Sequence, residues 1–137
     1  MTSNIEIVQS LYAAFAAGDR EGVRAGLSQD VQYREPDYTG DGGIYSGRDA
    51  VIAHLLEGDP LVEDYRLDVV DMLTSEHRVA IVAVTSGLRG GQPIRNEFVQ
   101  VVTLEGDQVS AIRNYMWDPQ TLRDLMAASP GPGVVAA

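Results

Sequence analysis

The sequence predicts an α+β domain, with three helices of the N-terminal half packed on the concave face of a cone-shaped, curved antiparallel sheet and a short helix at the C-terminus. Three observations predict it. Apolar residues recur at helical intervals in much of the first half of the chain, and in the second half they alternate in strand-like runs separated by short turn signals. The 137 residues, 45% of them apolar, suffice for one domain with its own core. No repeat or linker divides the chain, so residues 1–127 are read as one domain and 128–137 as a flexible tail.

Ile5, Val8, Tyr12 and Phe15 fall at helical spacing with Leu11 beside them, and Ser3 followed by Glu6 has the form of a capping box. Gly18 stops this helix. Asp19 then caps a short second one that carries Val23 and Leu27 inward. In "DVQYREP", Val31, Tyr33 and Glu35 share one face of a strand and Gln32 and Arg34 the other, until Pro36 ends the ladder. "DYTGDGGIYSG" has no period and reads as a long loop of the kind that borders a binding site.

Ser46 and Asp49 resemble a second capping box, opening a helix with Val51, Ile52, Leu55 and Leu56 on its buried side and Gly58 at its end. Four strands follow, roughly 65–73, 78–87, 94–104 and 109–117, linked by "TSEH", "RGGQP" and "EGDQ". Links this short imply antiparallel neighbours. Asp118 before Pro119 is a helix cap and first helical residue, with Leu122, Leu125 and Met126 following at helical spacing. Trp117 reads as a packing or interface aromatic. A sheet with helices on one face must curve over them, and the cone encloses a pocket.

Composition narrows the function. A formal charge of −10, spread along the chain, repels phosphate backbones and anionic lipid, so neither nucleic acid nor membrane is an expected partner. With no cysteine there is no disulfide, thiolate metal site or cysteine nucleophile. The first twenty residues have helical periodicity and no basic start, unlike a signal peptide, and no segment is long and apolar enough to span a bilayer; a soluble, cytoplasmic protein is expected. His54 and His77 lie far apart with no carboxylate at ligand spacing, so no metal is expected. "GDGG" lacks the strand, helix and lysine of a phosphate loop, and no cofactor is expected either.

"LYAAFAAGDREGV", "DVQYREP", "YSGRDAVIAHL" and "EGDQVSAIRNYMWD" together resemble the nuclear-transport-factor-like superfamily, which includes SnoaL-like polyketide cyclases, ketosteroid isomerases and limonene epoxide hydrolases. The likeness runs to about Ala127 and implies the cone fold, a homodimer paired through the open sheet face, and Glu35 before Pro36 as a pocket base. The outward row Arg95, Glu97, Val99 and Val101 is available for that pairing. By the same resemblance, Leu11 stands where the isomerase has its oxyanion-binding tyrosine. Tyr33 and Glu35 match a pocket tyrosine and asparagine of the epoxide hydrolase, whose catalytic set falls near Ile81, Ala83 and Asn114. Asn114 also takes the approximate place of the SnoaL-type aspartate.

Strand alternation anchored on these matches turns Ile81, Ala83, Thr85, Asn96, Phe98, Gln100, Ile112, Asn114 and Met116 toward the cavity, with Tyr12 and Phe15 facing them from the first helix. Such a wall holds a hydrophobic substrate by area while its few polar groups orient it. Glu35 is then the base; read structurally instead, it is a strand-end carboxylate bonded to the loop. Tyr33, Asn114 and Asn96 are either donors to a developing oxyanion or satisfied polar contacts. Asp71, in strand alternation with Tyr65, Leu67 and Val69, is a second pocket acid or a solvent-facing charge. Three readings follow: a cofactor-independent isomerase, cyclase or dehydratase of a polyketide- or terpenoid-like metabolite; an epoxide hydrolase or epoxide-opening cyclase with Tyr33 or Asp71 as acid; and a non-catalytic binding module.

Overall fold

Local signals set the first elements. The computed structural model describes residues 2–37, 40–57 and 63–127, the last three by backbone alone. Helix α1 (Asn4–Ala16) starts at Ser3, whose hydroxyl accepts the Glu6 N–H at 3.2 Å, and it buries Val8 and Leu11. It ends before Gly18, whose φ of 66° lies in the left-handed region that glycine enters without penalty. Asp19 caps α2 (Arg20–Gly26) by accepting the Gly22 N–H at 3.0 Å. Leu27 is buried as predicted, but as the first residue of strand β1 (Leu27–Arg34). The strand thus begins three residues before Asp30. The exposed pair Gln29–Asp30 and a register shift between Leu27 and Gln32 hide its first half from the alternation pattern.

The segment that reads as an unbroken loop contains β2 (Ile44–Ser46), antiparallel to β1 with Tyr45 opposite Tyr33. Three residues are too few for a period of two to show. Ser46 is therefore a strand residue and not a cap. Helix α3 (Arg48–Ile52) starts from Gly47 at φ 91° with no side-chain cap, and Asp49 accepts instead from Arg24 at 2.7 Å. The helix buries Val51 and Ile52 and widens into a π-helical turn, Ala53–Glu57. Gly58 and the tail 128–137 lie outside the described residues.

Strands β3 (Glu63–Thr74), β4 (Arg78–Arg89), β5 (Gln92–Glu105) and β6 (Gln108–Met116) run as antiparallel neighbours, as their short links require. The sheet order is β2-β1-β6-β5-β4-β3, curved and unclosed, and it is mixed: β1 runs parallel to β6. A parallel pair needs a crossover, and the chain supplies it by passing from β2 through α3 to the far edge before returning over four strands. Helices α1, α2 and α3 pack on the sheet. The core between them includes Val8, Val23, Leu27, Val31, Ile52, Ile81, Val102 and Val109, all essentially inaccessible. Each buried side chain of this size contributes about 1.5–3 kcal/mol.

One irregularity changes a site assignment. In the β3–β4 pairing Val69 lies opposite Ala83, and Asp71 lies opposite Val82. Val70 is thus a bulge, and a single extra residue reverses every side chain beyond it. Met72 then pairs with buried Ile81, while Asp71 is exposed and accepts the Met72 N–H at 2.8 Å.

Helix α4 (Pro119–Ala127) opens as the sequence predicts, with Asp118 accepting the Thr121 N–H at 3.0 Å. That backbone bond holds the Asp118 carboxyl below its ordinary value. Arg123 donates to the Asp37 carbonyl at 3.2 Å, tying α4 to the segment just after Pro36.

Candidate active site

Glu35 stands one residue past the end of β1, where Pro36 removes the next ladder donor. Its N–H still donates to the Gly43 carbonyl at 2.9 Å, so the segment before β2 grips it from behind. Its carboxylate faces the interior. Oε1 lies 3.1 Å from Nε2 of His54, with side-chain exposures of 15% for Glu35 and 26% for His54. Both are largely shielded and both remain reachable.

His54 comes from the π-helical turn and is packed by aromatic rings. Tyr45 stacks on it at 3.8 Å between centroids and 15° between planes, and Tyr33 tilts against it at 5.2 Å. The Tyr45 hydroxyl donates to Asp41. On the other side, the Tyr33 hydroxyl donates to Glu35 Oε2 at 3.4 Å, the long end of the hydrogen-bond range. Tyr33 in turn accepts from Asn114 Nδ2 at 2.7 Å, Asn114 accepts from Gln100 Nε2 at 2.9 Å, and Gln100 accepts from the Tyr12 hydroxyl.

Register explains why these residues meet. Gln100 pairs directly with Asn114, and Tyr33 pairs with Ile112 in the parallel ladder, which carries Glu35 on toward the level of Asn114. Burial, and secondarily the charge of Glu35, hold the Tyr33 phenol well above its ordinary value, against the opposing effect of the Asn114 bond. Tyr12, Tyr45 and Tyr65 are likewise raised, each chiefly by burial; Glu35 adds to the shift at Tyr65 and Asp41 to that at Tyr45. All four phenols keep their protons at physiological pH.

The predicted residues fall into a polar row and an apolar set, with Asn96 and Asp71 outside the row. Glu35, Tyr33, Asn114, Gln100 and Tyr12 form one connected polar row. Ile81, Ala83, Phe98 and Ile112 are buried in the hydrophobic core, with Phe15 and Met116 half-buried beside them and Thr85 half-buried opposite Asn96. Asn96 is buried but serves Met116, donating to its sulfur at 2.8 Å, and makes no bond to the row. Asp71 is apart from all of these on the exposed side of β3. Among the described residues no group of three or more His, Cys, Asp or Glu side chains gathers as a metal site.

Two residues escaped sequence reasoning. The sequence offers His54 no carboxylate at metal-ligand spacing; folding brings it Glu35. The available signal was its place three residues after Val51, on the helix face that also carries Leu55. Tyr45 was hidden in the glycine-rich segment; only its pairing with Tyr33 places it on the His54 ring.

A family model described as a SnoaL-like domain matches residues 8–112, most of the chain and every element from α1 to the middle of β6. The chain belongs to the SnoaL-like domain family. Solved structures agree on the fold. A nuclear-transport-factor-like protein of unknown function from Burkholderia pseudomallei is 26% identical, with a TM-score of 0.78 over 93% of this chain and 100% of that one. A protein from Jannaschia described as a SnoaL-like polyketide cyclase is 16% identical, with a TM-score of 0.73 over 92% and 93%. TerC, co-crystallised with polyporic acid, is 22% identical, with a TM-score of 0.75 over 91% and 98%. Comparison with curated proteins gives no match. In this SnoaL-like domain the interior row runs from Tyr12 on α1 across β5, β6 and β1 to Glu35, whose other oxygen meets His54 on the π-helical turn, so helices and sheet both contribute to it. No helix among the described residues is long and apolar enough to cross a membrane.

Proposed function

We propose that this SnoaL-like domain is a cofactor-independent enzyme that moves a proton on a hydrophobic carbonyl metabolite of polyketide- or terpenoid-like type, with Glu35 as the base. The observation that carries the reading is a carboxylate at the end of β1, 15% exposed, with an imidazole 3.1 Å away. Glu35 takes a proton from the carbon next to a carbonyl, and the electron pair of the C–H bond becomes the enolate. Return of the proton to another carbon isomerises the substrate. Attack of the enolate carbon on a second carbonyl closes a ring, and expulsion of a β-hydroxyl with a proton releases water. His54, when protonated, supplies the proton that the second carbonyl or the departing hydroxyl needs, which makes the pair an acid and a base side by side. The description of the Jannaschia protein and the polyporic acid complex of TerC support the choice of substrate class.

Glu35→Gln keeps the size of the side chain and removes its basicity. Against a panel of polyketide-like and terpenoid carbonyl compounds, followed by product chromatography, turnover is expected to fall by about 100-fold or more in a folded variant. Unchanged turnover rejects the mechanism.

A second reading rests on the engagement of both Glu35 oxygens, one by His54 and one by Tyr33, and on the apolar or amide residues Leu11, Ala83 and Asn114. In that reading the domain retains a ligand without converting it. Recovery of the same compound unaltered after prolonged incubation with saturating protein distinguishes it from turnover.

A further inference from the structure

Every donor in the interior row points the same way. The Tyr12 hydroxyl on α1 donates to Gln100 on β5, Gln100 to Asn114 on β6, Asn114 to Tyr33 on β1, and Tyr33 to Glu35. A phenol has one proton and an amide has one donor end and one acceptor end, so direction passes from each residue to the next. Because Asn114 Nδ2 occupies the Tyr33 oxygen at 2.7 Å, the Tyr33 proton is free to turn to the carboxylate.

We propose that Tyr12, Gln100 and Asn114 are positioning residues that fix the direction of the Tyr33 hydroxyl, so that Glu35 Oε2 is held from the far wall of the cone while Oε1 stays with His54. The inference rests on the reading of Glu35 as the base and extends it to residues 88 positions apart in sequence. The row has two self-consistent states. With both amides turned over, Asn114 Oδ1 faces Tyr33, the Tyr33 proton goes to Asn114, and Oε2 loses its donor. In that reversed state the Gln100 NH2 group meets the Tyr12 oxygen and strands the Tyr12 proton in a partly buried site, without the acceptor it now has. Tyr12 therefore selects the forward state, although its own bond reaches only Gln100.

The prediction is tested by fluorine NMR on the free protein labelled with 3-fluorotyrosine, with the Tyr33 line assigned through Tyr33→Phe. Tyr12→Phe removes a single oxygen from a half-buried ring, and it is expected to move the Tyr33 line. Phe15→Leu, one turn along the same helix, changes packing without touching the row and is expected to leave that line in place. In a Gln100→Met background the response to Tyr12→Phe is expected to vanish, because the link is gone; should Gln100→Met not fold, Gln100→Leu serves. A Tyr33 line indifferent to Tyr12→Phe, or one that responds equally with Gln100 absent, overturns the proposal. The readout needs no substrate. Turnover retained by Glu35→Gln would reject the base and leave this result standing, whereas an unmoved line rejects the positioning row and leaves the base untouched.

Discussion

At the level of the residue, His54 makes two contacts with one ring. It caps the hydrogen-bonding needs of a shielded carboxylate and presents its face to Tyr45, a stack worth about 0.5–1.5 kcal/mol beyond the area buried. His54→Phe separates these roles, since it keeps a ring for Tyr45 and removes the partner of Glu35. The expected outcome is a loss of about 1–2 kcal/mol in urea unfolding, from a shielded carboxylate left with the Tyr33 bond alone, accompanied by loss of turnover. A variant as stable and active as the parent would show that the Glu35–His54 contact carries neither role. Glu35 itself was legible in the sequence through strand alternation, the proline after it and the family resemblance. His54 was not, because a histidine on a helix carries no mark of the carboxylate that folding will bring to it.

At the scale of the element, the short strand β2 decides where Glu35 stands. Gly43 accepts the Glu35 N–H through its carbonyl, at φ 66°, and a Cβ added there would lie 2.1 Å from the Glu35 carbonyl oxygen. No side chain fits at that distance. Gly43→Ala is expected to cost more than about 1–3 kcal/mol, because backbone strain is joined by a clash that only movement of β1 or β2 relieves. Gly42→Ala is the comparison: φ there is 87°, with nothing within 4 Å of the added carbon, so it carries the strain without the clash. Equal thermal unfolding of the two variants would mean that β2 does not fix Glu35. The bulge at Val70 acts at the same scale in the opposite sense, removing Asp71 from the interior. Periodicity showed that β3 exists; it could not show an inserted residue, because Asp71 fits the alternation of Tyr65, Leu67 and Val69 until the pairing with β4 is known.

At the scale of the whole molecule, the four raised tyrosines link stability to alkaline pH. Folded-state phenol values above the unfolded value of about 10 mean that the stability they contribute is fully present below that pH and is lost as pH rises past it toward the folded values. The urea midpoint is expected to be level up to about pH 10 and to fall above it, with the phenolate absorbance of the interior Tyr12 and Tyr33 rising in the same transition that abolishes the circular dichroism signal. Ionisation of all six tyrosines well before unfolding would show that the interior row is open to hydroxide. We also expect two copies to pair through the outer sheet face, where Arg95 and Glu97 form an exposed ion pair at 3.1 Å beside Val99 and Val101. Light scattering at micromolar concentration should then give twice the chain mass; a single-chain mass argues against pairing.

Local and periodic features were legible in the chain: the Ser3, Asp19 and Asp118 caps, the inward faces of β4, β5 and β6, the antiparallel run from β3 to β6, and a carboxylate held at a strand end by proline. These depend on neighbours within a few residues, where side-chain direction follows from backbone period alone. Tertiary structure alone decided the parallel seating of β1 on β6, the outward turn of Asp71, and the meeting of Glu35 with His54 and with the row that begins at Tyr12. Each of these is fixed by which strands or helices become neighbours across tens of residues, and no local propensity encodes that. The carboxylate was written in the chain; its partners were chosen by the fold.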